Sequence, residues 1–290
     1  MQSTQIRAVS SCGYVKLSAM DGAHLVEQAR QIHHTTSLAT AALGRTLMGA
    51  SLLGSQMKQE KASITLRLNG GGPMGTVLCV SDHLGNARGY VQNPSLDLPR
   101  RTDGKLAVGA SIGINGDLTV IRDVGVGEPY TGSVPLVSGE VAEDLAAYLV
   151  DSEQIGAAVA LGVLIGRDST VQAAGGFIVA LLPGADDDVL GKLEENIQTL
   201  GDVSAALDKA DLETLVQNVM DGFSPKILER TTVDYHCPCS KERVLRAIGT
   251  LQPAEITEMI AAGEALEVTC QFCDKIQTVS VGELEALGNV

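Results

Sequence analysis

The sequences YHCPCSKERVLRAIG (residues 235–249) and VTCQFC (residues 268–273) decide the fold of the C-terminal part of this chain. They hold four of the six cysteines, in two pairs separated by 30 residues. Paired cysteines with one to four residues between them supply two soft ligands each from a tight turn, and zinc takes four such ligands in a tetrahedron. The spacing therefore predicts one zinc ion held by Cys237, Cys239, Cys270 and Cys273.

Three roles are open to the predicted zinc site. Four thiolates fill the coordination shell and leave no position for water, which disfavours a catalytic metal. A structural zinc would fold a domain too small to bury its own core, and the ligand pattern alone favours this role. A redox switch would use zinc to keep the thiols deprotonated until an oxidant joined them and ejected the metal. The disulfide of a Cys-X-Cys pair closes a strained ring, which would ease its reduction.

Composition and charge exclude several classes of function. The chain has 290 residues, a net charge of −14 and 3% aromatic residues, so its core must be aliphatic and its surface repels nucleic acid and anionic lipid. The N-terminus shows no basic segment followed by an apolar run, and the longest uncharged apolar stretch, 155–166, is too short to span a membrane. We expect a cytoplasmic protein without nucleic-acid or membrane partners.

Hydrophobic periodicity predicts an α+β fold in three parts. Residues 1–182 form a mixed core: two early helices lie within 24–57, a further helix follows Ser138 as its N-cap, and the strands are 6–11, 14–19, 62–68, 76–81, 87–92, 110–114, 118–123, 156–165 and 171–182. Cys12-Gly13, between the first two strands, and Asn115-Gly116 each indicate a hairpin turn. The second early helix carries Gly44, Gly49 and Gly54, which would permit close backbone packing. The runs 156–165 and 171–182 lack polar alternation, which predicts strands covered on both faces. Residues 183–230 form an acidic linker with two amphipathic helices, and residues 231–290 form the zinc-binding domain, with two short helices and two strands around CQFC.

Other conspicuous residues receive simpler interpretations. Cys12 and Cys79 stand alone in apolar surroundings and are interpreted as small buried hydrophobic residues. Gly70–Gly75 is interpreted as a turn and not as a phosphate loop, because no Lys-Ser/Thr follows and Pro73 lacks an N–H. His236 precedes the first cysteine pair and is assigned at most a supporting role behind the ligands. No nucleophile–base pair or paired carboxylates emerge, so we do not expect an enzyme.

The cysteine motifs resemble those of the redox-regulated heat shock protein 33 chaperone family. HHTTSLATAALGRTLMGASLLGSQMK (residues 33–58) and LRLNGGGPMGTVLCVSDHLGNARGYVQNP (residues 66–94) are similar to that family's early helical segment and to its glycine-rich strand-turn-strand region. The resemblance spans essentially the whole chain.

The resemblance implies an ATP-independent holdase that is inactive when reduced and zinc-bound. In that family, oxidation under stress joins the cysteines within each pair, here Cys237 to Cys239 and Cys270 to Cys273, releases zinc and destabilises the linker helices. Homodimerisation and binding of unfolding client proteins follow. The alternative that we retain is a constitutive protein-binding module with a purely structural zinc.

Overall fold

The computed structural model describes residues 2–288, which form two compact units with the boundary between Tyr235 and His236. The predicted α+β class is confirmed, because helices pack on antiparallel sheets in both units. Within the described residues, no helix is long and apolar enough to cross a membrane.

The N-terminal unit contains two five-stranded antiparallel sheets. The first has the order β10-β1-β2-β9-β8, and its strands are β1 (Ser3–Val9), β2 (Val15–Asp21), β8 (Ala157–Ile165), β9 (Val171–Leu181) and β10 (Lys226–Val233). The second has the order β5-β4-β3-β6-β7, with β3 (Ser63–Asn69), β4 (Val77–Asp82), β5 (Ala87–Val91), β6 (Asp117–Asp123) and β7 (Tyr130–Pro135). The predicted hairpin around Cys12 is the connection between β1 and β2.

The apolar helix α2 (Ser37–Gly54) packs on strands of both sheets. It follows α1 (Ala23–His33), and the Thr36 hydroxyl caps it by accepting the N–H of Ala39 at 3.2 Å. Its glycines are needed for close packing, as the sequence predicts: a Cβ at Gly44 would lie 2.6 Å from Val26 Cγ1, and one at Gly49 would lie 2.5 Å from Leu145 Cδ1.

Strand β9 is buried on both faces, which confirms the interpretation of its continuous apolar run. Ile178 faces the larger core, which α2 shares with the second sheet. Its neighbours Phe177 and Val179 point to the opposite face and belong to a second core. One sheet therefore supports two separate apolar layers.

The second core is covered by the helices of the predicted linker. These are α5 (Asp187–Leu200), α6 (Val203–Leu207) and α7 (Leu212–Val219), and the short helix α6 was not predicted. Leu193, Leu215 and Val216 are buried against the face of β1, β2 and β9. Asn196, itself buried, donates from Nδ2 to the carbonyls of Val219 at 3.1 Å and Asp221 at 2.8 Å, which ties α5 to the end of α7.

Strand β10 lies at the edge of the first sheet, beside β1. Most of its side chains are exposed, and its pairing with β1 shifts register between Arg7 and Ala8. Arg230 forms an ion pair with Glu213 of α7. The strand ends at Val233, so it leads directly into the C-terminal unit.

The C-terminal unit is small and has a small core. It comprises α8 (Lys241–Ile248), α9 (Pro253–Ala261), β11 (Leu266–Thr269), β12 (Ile276–Val279) and α10 (Val281–Gly288). The two predicted helices and two predicted strands are confirmed, and α10 was missed. Among the described residues, its buried apolar side chains are Ile248, Ile256, Val279 and Leu284.

Three local predictions are wrong. Residues 110–114 do not form a strand: α3 (Val108–Ile112) is there, so Asn115-Gly116 follows a helix and is not a hairpin turn between two strands. Helix α4 (Ala142–Asp151) begins after Val141 and not after Ser138, because the buried Asp144 carboxylate accepts the N–H groups of the preceding loop. Cys12 is exposed, because it lies in the turn between β1 and β2, whereas Cys79 is buried as predicted.

Candidate metal centre

The first cysteine pair lies in the segment that enters helix α8. Cys237 and Cys239 flank Pro238, and Ser240 then caps the helix through a hydroxyl that accepts the N–H of Arg243 at 3.4 Å. Both thiols are partly buried. The Cys-Pro-Cys segment therefore presents two sulfur atoms immediately before the N-cap of α8.

The second pair lies at the tip of the hairpin between β11 and β12. The N–H of Cys270 donates to the carbonyl of Lys275 at 3.0 Å, and the N–H of Asp274 donates to the carbonyl of Cys270 at 2.8 Å. Asp274 closes this turn with a φ of 55°, in the left-handed region. The turn brings Cys270 and Cys273 to the same side, which is the knuckle expected from the CQFC spacing.

The four predicted ligands come together. Their Sγ atoms all lie within 4.8 Å of one another. The Sγ atoms of Cys237 and Cys270 are 3.8 Å apart, and those of Cys239 and Cys273 are 3.3 Å apart. A tetrahedron with metal–sulfur bonds of about 2.3 Å has sulfur–sulfur edges of about 3.8 Å, so the cluster matches the size of a four-thiolate metal site. These cysteines could hold a metal ion.

The electrostatics of the cluster also favour a cation. Burial, together with the neighbouring thiols, raises the pKa of Cys237 to about 12, although the backbone N–H of Cys239 opposes this. Four adjacent thiols resist becoming thiolates because each negative charge disfavours the next. A divalent cation at their centre would reverse this balance and deprotonate them.

An ion pair outside the cluster links two of the surrounding helices. The Lys241 ammonium of α8 lies 2.8 Å from the Glu283 carboxylate of α10. Hydrogen bonds from Lys241, and then from the N–H and hydroxyl of Ser280, lower the pKa of Glu283 to about 2. The sequence did not reveal this pair, because α10 itself was not predicted.

His236 is exposed and forms no hydrogen bond with the described residues.

The model of the family described as "Hsp33 protein" matches residues 3–280 of the chain. The chain belongs to the Hsp33 family. Among curated members, it is 41% identical to the 33 kDa chaperonin of Alkaliphilus metalliredigens over 288 residues, which cover 99% of each protein. It is 42% identical to the 33 kDa chaperonin of Clostridioides difficile over 285 residues, or 98% of each protein.

A solved Hsp33 structure shares the fold. The crystal structure of the 33 kDa chaperonin (heat shock protein 33 homolog) of Thermotoga maritima matches with a TM-score of 0.91 and 34% identity, and the match covers 100% of this chain and 98% of that one. The family resemblance seen in the sequence is confirmed. The names of these Hsp33 relatives describe chaperones.

Proposed function

We propose that this protein is a redox-regulated, ATP-independent holdase that is inactive when reduced and zinc-bound, and that oxidative and heat stress activate it. The observation that carries the proposal is the cluster of four sulfur atoms within 4.8 Å of one another in a chain of the Hsp33 family. The cluster supplies a metal site and two oxidisable pairs at once.

We propose that each chain binds one zinc ion through Cys237, Cys239, Cys270 and Cys273. A complete set of four thiolates suits zinc, and the reduced cytosol where we expect the protein keeps such thiols available. Four apolar side chains are a small core for this unit, so metal binding would contribute much of its folding free energy. When bound, the zinc holds the thiols deprotonated and fixes them in one arrangement.

Oxidation is proposed to join Cys237 to Cys239 and Cys270 to Cys273. Peroxide removes two electrons from each thiol pair, forms one S–S bond and is reduced to water. The sulfur atoms lost to disulfides no longer bind zinc as thiolates, so the ion leaves and the unit unfolds.

The proposed client surface is the face of the first sheet beneath α5–α7. This face carries the largely aliphatic residues Ile6, Ala8, Val15, Leu17, Ala19, Phe177 and Val179. If the helices detach, a contiguous apolar surface becomes available, and such surfaces bind other proteins. The net charge of −14 would help keep the complex in solution.

Strand β10 is proposed to couple unfolding of the C-terminal unit to detachment of the helices α5–α7. It connects covalently to the cysteine unit, and its Arg230 pairs with Glu213 of α7. Because the pair is half exposed, its own contribution is small, about 1 kcal/mol or less. Fraying of β10 after the C-terminal unit unfolds would remove this support from α7 and lower the stability of the helices.

The remaining parts of the proposal concern the roles of the three segments and the oligomeric state. We propose that 1–182 binds clients, 183–230 acts as the releasable linker and 231–290 is the switch. The activated form is proposed to be a homodimer in the cytoplasm, with unfolding proteins as partners and no enzymatic activity.

A combined titration tests the proposed function. The reduced, zinc-loaded protein is treated with peroxide at raised temperature, and zinc release, free thiols and suppression of light scattering by a thermally unfolding client are followed together. We expect zinc loss and client protection to rise in parallel. Protection by the reduced protein, undiminished by added reductant, would instead support a constitutive binding module with a structural zinc.

A further inference from the structure

The N-terminal unit contains a cavity of about 770 Å³ that the proposed chaperone cycle does not use. One wall is the inward face of the first sheet, where Lys16 and Ser18 of β2 pair with Ala180 and Ile178 of β9. The C-terminal end of α2 and Arg122 of β6 provide further walls. Its volume falls in the range of small-molecule sites, about 300–1,000 Å³.

The charges around this cavity have one sign. Lys16, Lys58 and Arg122 line it, and no aspartate or glutamate is among its lining residues in the described part of the chain. The chain as a whole carries a net charge of −14, so the positive charge around this cavity is opposite in sign to that of the whole protein. Within residues 2–288, the only carboxylate that forms an ion pair with one of these three cations is that of Glu153, which lies 3.2 Å from Arg122 Nη2.

Two buried polar atoms at the cavity have no hydrogen-bond partner among the described residues. Ser18 is 2% exposed, and its Oγ forms no hydrogen bond with any described residue. Nε of Arg122 is likewise buried without an acceptor among the described residues. Buried polar groups are satisfied in the great majority of cases, so an unpaired hydroxyl and an unpaired guanidinium N–H at one cavity indicate a missing acceptor.

Lys16 also has no anionic partner in the part of the chain that the structure describes. Its Nζ donates to the uncharged Oε1 of Gln56 at 3.2 Å. Burial, and then the positive charges of Arg7 and Lys58, lower the pKa of Lys16. An anion next to this ammonium would offset both effects.

The other lining residues are mainly aliphatic, among them Leu53, Leu149, Ile178 and Leu181. We propose that this cavity binds a small amphipathic organic anion, with an apolar body against these side chains and a carboxylate or phosphate head at Lys16, Lys58 and Ser18. None of its lining residues belongs to the four-cysteine cluster, and the proposal is independent of the redox proposal.

Calorimetric titration of the reduced, zinc-loaded full chain tests the site. The probes are decanoate and decyl phosphate below their micelle concentrations, with decanol and decyltrimethylammonium as uncharged and cationic counterparts. We expect one decanoate or decyl phosphate per chain, with displacement of one by the other, and binding of the two counterparts at least tenfold weaker. Equal binding of decanol, or no binding of either anion, would overturn the proposal.

Two lysine variants locate the site. K16Q/K58Q keeps most of each side chain's volume and should weaken decanoate binding by roughly tenfold or more. Should the half-buried Lys16 prove necessary for folding, K58Q alone serves, because Lys58 is exposed. The control R67Q removes one positive charge from an exposed position outside the cavity and should bind decanoate as the parent does. Unchanged binding by the lysine variants, or an equal loss in R67Q, contradicts the assignment.

Discussion

The Sγ atoms of Cys239 and Cys273 lie 3.3 Å apart although the two residues are 34 positions apart in the sequence. This contact joins the two cysteine pairs, whereas the disulfides that we propose form within the pairs. A disulfide requires sulfur atoms about 2.05 Å apart, so any pairing needs movement from the arrangement described. A bound metal would oppose that movement, because its bonds hold all four sulfur atoms on separate corners.

Replacing one ligand tests the metal site. C239S should lose stoichiometric zinc, since a neutral hydroxyl is a poor substitute for a thiolate. The C-terminal unit, with its small core, should then lose protection of backbone amides from hydrogen exchange, while 1–235 keeps most of it. A metallochromic zinc assay and exchange mass spectrometry measure the two effects. C12S is the matched control, because Cys12 is exposed and is distant in sequence from the four ligands. Equal zinc content in both variants would refute the site.

The disulfide pattern after oxidation is a separate prediction. Trypsin cleaves after Lys241, Arg243 and Arg246, so the two cysteine pairs fall on different peptides. Disulfides within pairs leave these peptides separate and lower the mass of each by two hydrogens. A covalently joined peptide containing Cys239 and Cys273 as the main product would contradict the proposed pairing.

Removing apolar contact from α7 should release the helices without oxidant. L215A deletes a side chain that is 2% exposed and should destabilise the packing of α7 by about 2–5 kcal/mol. The reduced, zinc-loaded variant should suppress client aggregation where the parent does not. The control L228A truncates a leucine on β10 that is 58% exposed and should behave as the parent. If reduced L215A has a lower free energy of unfolding than the parent but does not suppress client aggregation, the sheet face is not the client surface.

Alanine substitutions at two helix glycines should have opposite effects on stability. A Cβ at Gly54 of α2 would lie 2.7 Å from the backbone oxygen of Asp82, which cannot move aside cheaply. G54A should therefore cost about 1–3 kcal/mol of unfolding free energy. Nothing lies within 4 Å of a Cβ at Gly191 in α5, so G191A should stabilise that helix by about 0.5–1 kcal/mol. Urea unfolding measures both; a G54A protein as stable as the parent would show that the close approach is not real.

The Glu27 carboxylate should make stability depend on pH. Arg30 donates to it from Nε at 2.8 Å and from Nη2 at 2.6 Å, and the N–H of Val171 in β9 donates at 3.0 Å. The hydrogen bond from Arg30, helped by Val171, lowers the pKa of Glu27 to about 2 from its usual 4.5. A lowered pKa means that the stabilisation is complete above about pH 4.5 and is lost as the pH falls towards 2.

The variant E27Q removes this effect. It should be less stable than the parent by about 1–2 kcal/mol at pH 7, and the difference should shrink below pH 4.5 and vanish as the pH falls through about 2. Unfolding of both proteins along this pH range measures the difference. E60Q is the control, because Glu60 is exposed. A difference that stays constant with pH would show that the lost charge is not its cause.

The sequence predicted best where one interaction determines the residues. Zinc accepts few ligand types, so the spacing of Cys237, Cys239, Cys270 and Cys273 predicted which four sulfur atoms meet. Strand β9 must face two cores, and its uninterrupted apolar run shows this. In both cases the requirement is local in sequence and leaves little choice of side chain.

Two of the failed predictions turned on hydrogen bonds that the local sequence pattern does not show. Residues 110–114 alternate like a strand, but the carbonyls of Ser111 and Ile112 accept the N–H groups of Met74 and Gly72, which supports the helical turn α3. A Cβ at Gly72 would lie 2.4 Å from the Ser111 carbonyl oxygen, so the glycine-rich turn is needed to receive that helix. The cap of α4 was misassigned because Asp144, inside the helix, satisfies the loop before it. Tertiary contact overrode local preference at residues 110–114, whereas the contacts of Asp144 that set the start of α4 span only three to seven residues.

The edge strand β10 has a consequence for the protein's own solubility. An unpaired strand edge invites other chains to add to it, and a protein proposed to collect unfolded chains would meet many of them. Pro225 precedes β10, Lys226, Glu229 and Arg230 lie along it, and its register shift interrupts regular pairing. Prolines, charges and bulges are the devices by which sheets resist edge-to-edge growth. The resting molecule is thereby guarded against becoming a template for fibrils itself.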